Sequence, residues 1–171
     1  MADAATMTID ATILPDDVSK ELLNETFAYT PADTTEGWYY KLTNVTTSST
    51  DLIALQTYAQ KGGSVTGTDA GSALPLIAAG DKVKFLFVKH TGYREDGSTG
   101  NTADSIYLVF DAGTAAHNAA DAIEIGPGES WFAKFNGATT ADIHCISGQK
   151  AGAGTGGNKI QTIVAAIIDD V

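Results

Sequence analysis

Two stretches of this chain are built to one plan. Ile77 to Val88 reads IAAGDKVKFLFV, and Ile125 to Phe135 reads IGPGESWFAKF. In each, an apolar residue leads into a glycine-containing turn, an acid follows Gly80 or Gly128, and a strand-like run with aromatics comes next. Glycine opens turn conformations closed to other residues, and aromatics suit the half-buried surface of a pleated strand. A chain patterned this way builds short, turn-punctuated β-strands, and the two-residue side-chain period then sets its core.

The same signals recur along the chain. Thr8 to Ile13 alternates, with Ile9, Ala11 and Ile13 on one face, and Pro15-Asp16-Asp17 ends the run. One of those acids is placed to cap a short helical turn through Leu22-Leu23. Trp38 to Val45 reads as a strand with Trp38, Tyr40 and Leu42 on one face and Tyr39, Lys41 and Thr43 on the other. Leu52 to Tyr58 reads as another. Val83, Phe85 and Phe87 share a face of the next, and 82–89 with 105–111 read as a hairpin with a long loop at its tip. Asn136-Gly137 is a strong tight-turn signal. Ile160 to Ile168 is apolar on both faces, as a central or covered strand would be. Stretches 61–71, 92–104 and 149–158 are Gly-rich loops. Roughly eight to ten short strands at this spacing predict an all-β fold, an antiparallel sandwich of jelly-roll type. The expected division is an N-terminal arm or swapped strand over 1–15 and one sandwich domain over 16–171. The expected core is Ile9, Ile13, Trp38, Leu42, Phe85, Phe87, Ile106, Leu108, Trp131, Phe135, Ile143 and Ile163.

Composition narrows the classes of function. Of the 171 residues 43% are hydrophobic, enough to bury a real core in one domain. Ten basic residues face 21 acidic ones, for a formal charge of −11. Such a surface repels phosphate backbones, so nucleic acid is not an expected partner. No apolar run approaches the ~18 residues of a membrane-spanning helix, and no membrane partner is expected. The N-terminus, MADAATMTIDATILPDD, has neither a basic leader nor a long apolar stretch, so synthesis in the cytoplasm without a secretory signal is expected. A lone cysteine, Cys145, excludes an intrachain disulfide.

No constellation carries a clear chemistry. Gly152 to Gly157 satisfies G-x-G-x-x-G, but a β-branched strand follows where a dinucleotide fold needs a helix. His90, His117 and His144 are scattered, and Cys145 beside His144 points to the opposite face of a strand. Cys145 reads as a small core residue. Glu95, Asp96 and Asp104 surround Ser98 in a Gly-rich loop that could offer calcium its oxygens, although the EF-hand spacing is absent. No cofactor and no enzymatic activity are expected. Tyr39, Tyr40 and Phe132 are candidates for an apolar patch between subunits, with Ile9 and Ile13 of the N-terminal segment as further interface candidates.

The segments GWYYKLTNVTTSSTDLI and IEIGPGESWFAKFNGATTADIHCIS, set in a small acidic chain, resemble virion structural proteins of tailed bacteriophages, especially marine and cyanobacterial ones. The nearest type is the capsid decoration, or cement, protein. The resemblance implies a homotrimer on the capsid exterior, clamping neighbouring copies of the major capsid protein, with Ala2 to Pro15 exchanged between subunits or pinned to the shell. No active site comes with it. A second expectation is a carbohydrate- or receptor-binding sandwich on a tail or cell surface, reading its ligand through aromatic platforms. A third is a cupin-like enzyme, whose histidine spacing this chain lacks.

Overall fold

The computed structural model describes residues 5–12, 22–29, 36–55, 77–94, 104–111, 113–116, 121–149, 152–153, 159–169 and 171. The chain divides into two compact units, Met1–Asp33 and Thr34–Val171. In the first, β1 (Ala5–Thr12) and β2 (Leu22–Tyr29) form an antiparallel hairpin in continuous register, from Ala5 opposite Tyr29 to Thr12 opposite Leu22. Leu22-Leu23 therefore opens a strand where a helical turn was expected. A single turn leaves most of its backbone groups unbonded, whereas the ladder with β1 satisfies them.

The second unit is an antiparallel β-sandwich. Its strands are β3 (Glu36–Val45), β4 (Thr50–Asp51), β5 (Lys82–Arg94), β6 (Ser105–Phe110), β7 (Ile123–Ile125), β8 (Ser130–Thr139), β9 (Ile143–Gln149), β10 (Gly152–Ala153) and β11 (Ile160–Asp169). One sheet has the order β3-β11-β5-β8; the other runs β10-β9-β6-β7, with β4 also paired to β9. The pairs are nested: β3 with β11, β4 with β9, β5 with β8, β6 with β7. β5 and β6 lie in different sheets, so 82–89 and 105–111 are not the hairpin expected from their adjacency. β5 pairs with β8 and β11, and β6 with β7 and β9.

The core lies between the sheets. Val45, Leu86, Val88, Val164 and Ile168 come from one sheet, and Ile106, Leu108, Ile125, Ile143 and Cys145 from the other. Phe110 of β6 meets Trp131 and Phe135 of β8, with ring centroids 5.3 and 5.2 Å away, so an aromatic trio bridges the layers. Tilted rings at this distance add to the stabilisation that burial alone supplies. β11 sits between β3 and β5, as its two apolar faces predicted.

Several expected core residues lie elsewhere. Trp38, Tyr40 and Leu42 do share a face, but it is the outer one: Tyr39, Thr43 and Val45 are buried, while Tyr40 is 60% and Leu42 49% exposed. On β5, a bulge between Val83 and Phe85 inserts one residue and reverses the parity. Val83, Leu86, Val88 and His90 consequently point inward, and Phe85 and Phe87 outward. Ile163 shares the outward register. A single inserted residue moves every later side chain to the other face. Leu52 and Ile53 are both fully buried in a bend beyond β4, not in an alternating strand. The Tyr39 hydroxyl holds that bend, donating to Leu52 O at 3.2 Å and accepting from Ala54 N at 3.0 Å.

The two matched segments form two matched turns. Asp81 N–H donates to Ala78 O at 3.3 Å, and Asp81 Oδ2 accepts from Ala78 N at 2.8 Å. Glu129 N–H donates to Gly126 O at 3.0 Å, and Glu129 Oε2 accepts from Gly126 N at 2.7 Å. In each, the fourth residue of the turn closes it with its amide and caps the first with its carboxylate. Pro127 and Gly128, with φ 82° at Gly128, meet the demands of a type II turn. The two turns lead into β5 and β8, which are neighbours in one sheet. Their surroundings differ. Glu129 is exposed, whereas Asp81 is buried and its turn is bracketed by Thr140, which donates N–H to Asp81 O and Oγ1 to Ala78 O. Asp81→Ala leaves the Ala78 amide without its acceptor and is expected to lower unfolding free energy by about 1–3 kcal/mol. Glu129→Ala, with water able to replace the carboxylate, should cost no more than about 0.5 kcal/mol in the same urea titration.

Candidate functional site

The outer face of the four-stranded sheet is the most distinctive surface of the sandwich. Register places its side chains in three rows across β3, β11, β5 and β8. The first row is Leu42, Ile163, Lys89 and Ser130; the second is Tyr40, Ala165, Phe87 and Phe132; the third is Trp38, Ile167, Phe85 and Lys134. Nine of these twelve positions are apolar and five are aromatic. The polar positions are two lysines and a serine, so a chain of net charge −11 presents no acid in these rows. Tyr40 and Leu42 stand exposed, Phe85, Phe87 and Phe132 are partly buried, and Ile167 is fully buried. At ordinary strand spacing the twelve positions cover roughly 20 Å by 20 Å, about 400 Å². That footprint, the three polar positions and the buried Ile167 included, is of the size of the largest apolar patch on a typical monomer, and such patches commonly serve in association.

The outer face of the other sheet is different. Tyr107, Val109 and Ile146 there form a second buried cluster with Ala115, and Ala122 packs against it. Ala115 and Ala122, between β6 and β7, thus pack on that face, and the Ala115 amide donates to Ser49 Oγ at 2.9 Å. At its margin Glu124 Oε1 accepts from Ser105 Oγ at 2.8 Å and from the Tyr107 hydroxyl at 3.3 Å.

The interface candidates fall in different places. Tyr40 and Phe132 stand at the two ends of the middle row of the outer face. Tyr39 does not belong with them. It points inward, is 4% exposed and buttresses Leu52 and Ala54, because neighbouring residues of a strand face opposite ways. Ile9 lies in β1 opposite Glu25, and Ile13 is outside the described residues. The expectation missed Phe87 and Phe85 as companions of Tyr40 because the bulge in β5 has no signature in the sequence.

The titratable groups are dispersed. Among the described residues, no three His, Cys, Asp or Glu side chains are grouped so that they could hold a metal ion. Cys145 is fully buried in the core, where loss of solvation pushes its thiol far above the usual range. His144 faces the other way, and its Nδ1 lies 2.9 Å from Asp51 Oδ1. Glu95, Asp96 and Ser98 of the calcium-loop expectation lie outside the described residues, as does His117; Asp104 is buried.

Among the described residues, His90 is the one buried histidine of the inner face, 1% exposed and opposite Thr162. Gly92 N–H donates to its Nδ1 at 2.9 Å, which assigns the ring proton to Nε2, 3.3 Å from Asp104 O. A second proton would have to sit on Nδ1, against the Gly92 donor. Burial holds the His90 pKa below the usual value, outweighing the opposing effects of the Asp104 carbonyl and of the Asp104 and Glu129 charges.

No protein-family model, no curated protein and no solved structure is significantly similar to this chain.

Because His90 is harder to protonate folded than unfolded, its contribution to stability is complete above the unfolded pKa near 6.5. That contribution is lost as pH falls from there toward the depressed folded value. Unfolding free energy should fall between pH 7 and 5 with a slope from this group of at most about 1.4 kcal/mol per unit. His90→Gln, which keeps a donor and an acceptor but does not titrate, should flatten that slope in parallel denaturation series.

Proposed function

We propose that this protein is a non-enzymatic structural subunit that stabilises an assembly through repeated contacts, as a capsid decoration protein of a tailed bacteriophage does. The observation that carries this reading is the apolar outer face of the β3-β11-β5-β8 sheet. The fold supports it by setting the rows on paired strands, not on loops. The nested pairing supports a jelly-roll winding of the sandwich. In the order of its eight principal strands the sheets read first-eighth-third-sixth and second-seventh-fourth-fifth, the order obtained by rolling one long antiparallel ribbon into two layers.

Magnitude decides what kind of association suits this face. About 400 Å² is half of the ~800 Å² that each partner buries in a stable one-to-one complex. One contact of this size binds weakly. Several identical contacts made at once multiply their effect without enlarging any of them, and a symmetric oligomer on a repeating lattice supplies that arrangement. In this reading Tyr40, Phe87 and Phe132 are the apolar anchors of each contact, and Lys89 and Lys134 meet acidic groups of the shell or of a neighbouring copy. The expected oligomer is a trimer on the outside of the particle.

The double variant Tyr40→Glu/Phe132→Glu tests the reading. Sedimentation velocity should show wild-type oligomers and a variant at least about tenfold weaker in association, as ~1.4 kcal/mol lost per contact implies. Its denaturation midpoint should change little, since neither residue lies in the core. Electron microscopy of particles carrying and lacking the protein should then show density on the shell with wild type alone. A wild-type monomer that leaves particles bare would overturn the proposal.

A further inference from the structure

Asn136-Gly137 is the only Asn-Gly pair in the sequence, and it does not make the tight turn expected of it. β8 runs straight through the pair. The ladder with β5 goes from Ala138 opposite Val83 to Lys134 opposite Phe85, so Phe135, Asn136 and Gly137 have no Cα partner in it. β8 is also the outermost strand of its sheet. Asn136 is exposed and Gly137 has φ 108°. The space beside Gly137 is open: a Cβ there would meet only Lys82 Cδ, at 3.8 Å.

We propose that Asn136 is a site of spontaneous deamidation in the folded protein. The Gly137 amide nitrogen, after giving its proton to solvent base, attacks Asn136 Cγ. A C–N bond closes a five-membered succinimide, the Cγ–Nδ2 bond breaks, and ammonia leaves with a proton drawn from water. Water then adds to one of the two ring carbonyls. Opening at one restores the main chain with an aspartate; opening at the other gives isoaspartate, with the main chain rerouted through the former side-chain carbon. Water is the only co-reactant, and nothing is oxidised or reduced.

Three conditions favour ring closure, and this site meets each. The following residue must leave the nitrogen accessible, and glycine has no Cβ to shield it. The backbone must be free to turn toward the side chain, and a bulge releases residues from the regular ladder. The asparagine side chain must itself be free, and this one faces solvent. Asn44-Val45 supplies an internal contrast. It is paired in unbroken register with Gln161 and Ile160, and a β-branched residue follows it. The product adds one negative charge beside Lys134. In the isoaspartate form it also adds one main-chain atom where the ladder is already slack.

The test is incubation of the intact protein, native and urea-denatured, in mildly alkaline buffer with peptide mass spectrometry over time. The peptide carrying Asn136 should gain about 1 Da in both aspartate and isoaspartate forms, while that carrying Asn44 stays unchanged in the native protein. Native conversion at Asn136 should proceed within about tenfold of the denatured rate, because opening an unpaired bulge costs little. Protection greater than that would overturn the proposal by showing that the fold holds the pair closed. The route through Gly137 is checked in the denatured state, where folding defects do not interfere: Gly137→Val should slow conversion at least about tenfold by shielding the nitrogen. An unchanged rate would overturn that route.

Discussion

The pairing of β11 on both sides is the constraint from which the rest of the sandwich follows. Ten residues of β11 pair with β3 without interruption, and the same strand pairs with β5 across two irregularities. It is the last long strand of the chain, yet it sits inside the sheet. Its inward residues Ile160, Val164, Ala166 and Ile168 reach the core, and its outward residues Ile163, Ala165 and Ile167 form the spine of the outer face. One strand therefore supplies both the packing between the sheets and the apolar rows that face away from them. Its contacts span most of the unit in sequence, so the four-stranded sheet cannot close until the C-terminal segment is in place, a slow kind of topology to assemble.

Much of this was legible in the sequence, and the errors share a cause. Strand existence followed from alternation and turn chemistry, and the central position of β11 followed from its lack of a polar face. Which face of a strand points inward did not follow. On β3, the aromatic run Trp38-Tyr39-Tyr40 offers an apolar residue to either side. The decision rests on what lies opposite: Tyr39 pairs with Ala166, whose small side chain leaves room for the ring and for its hydroxyl to reach the Leu52–Ala54 bend. On β5 the bulge after Val83 decided it, and a bulge is a property of two paired strands, not of one. Asn136-Gly137 failed as a turn for the same reason: a local signal was overridden by the ladder on either side of it.

The candidate surface was legible only in part. Tyr40 and Phe132 could be picked out because each is an aromatic next to another that fills the core. Their meeting across Ala165 and Phe87 required the register of four strands drawn from four separate parts of the sequence. The matched turns were easier to read. The acid one residue after the glycine is fixed by local geometry, since the same residue both closes the turn and caps its first amide. What local geometry could not tell was that Asp81 is sealed under Thr140 while Glu129 stays wet.

The edges of the four-stranded sheet bear on how such a protein would associate. Exposed strand edges invite pairing with other chains, and natural sheets counter this with charge or irregularity at the edge. β3 has Lys41 at an inward register position, opposite the buried Val164 and between the buried Tyr39 and Thr43, yet Lys41 itself is exposed. A new strand added alongside β3 would have to cover that charge. β8 breaks its own ladder over Phe135 to Gly137 and carries the exposed Lys134 and Asn136. Both edges thus oppose strand addition, while the rows between them present aromatic area with lysines and no acids. Under the proposed reading, that division of labour makes association face-on and finite: the edges resist open-ended growth, and a closed oligomer buries the rows.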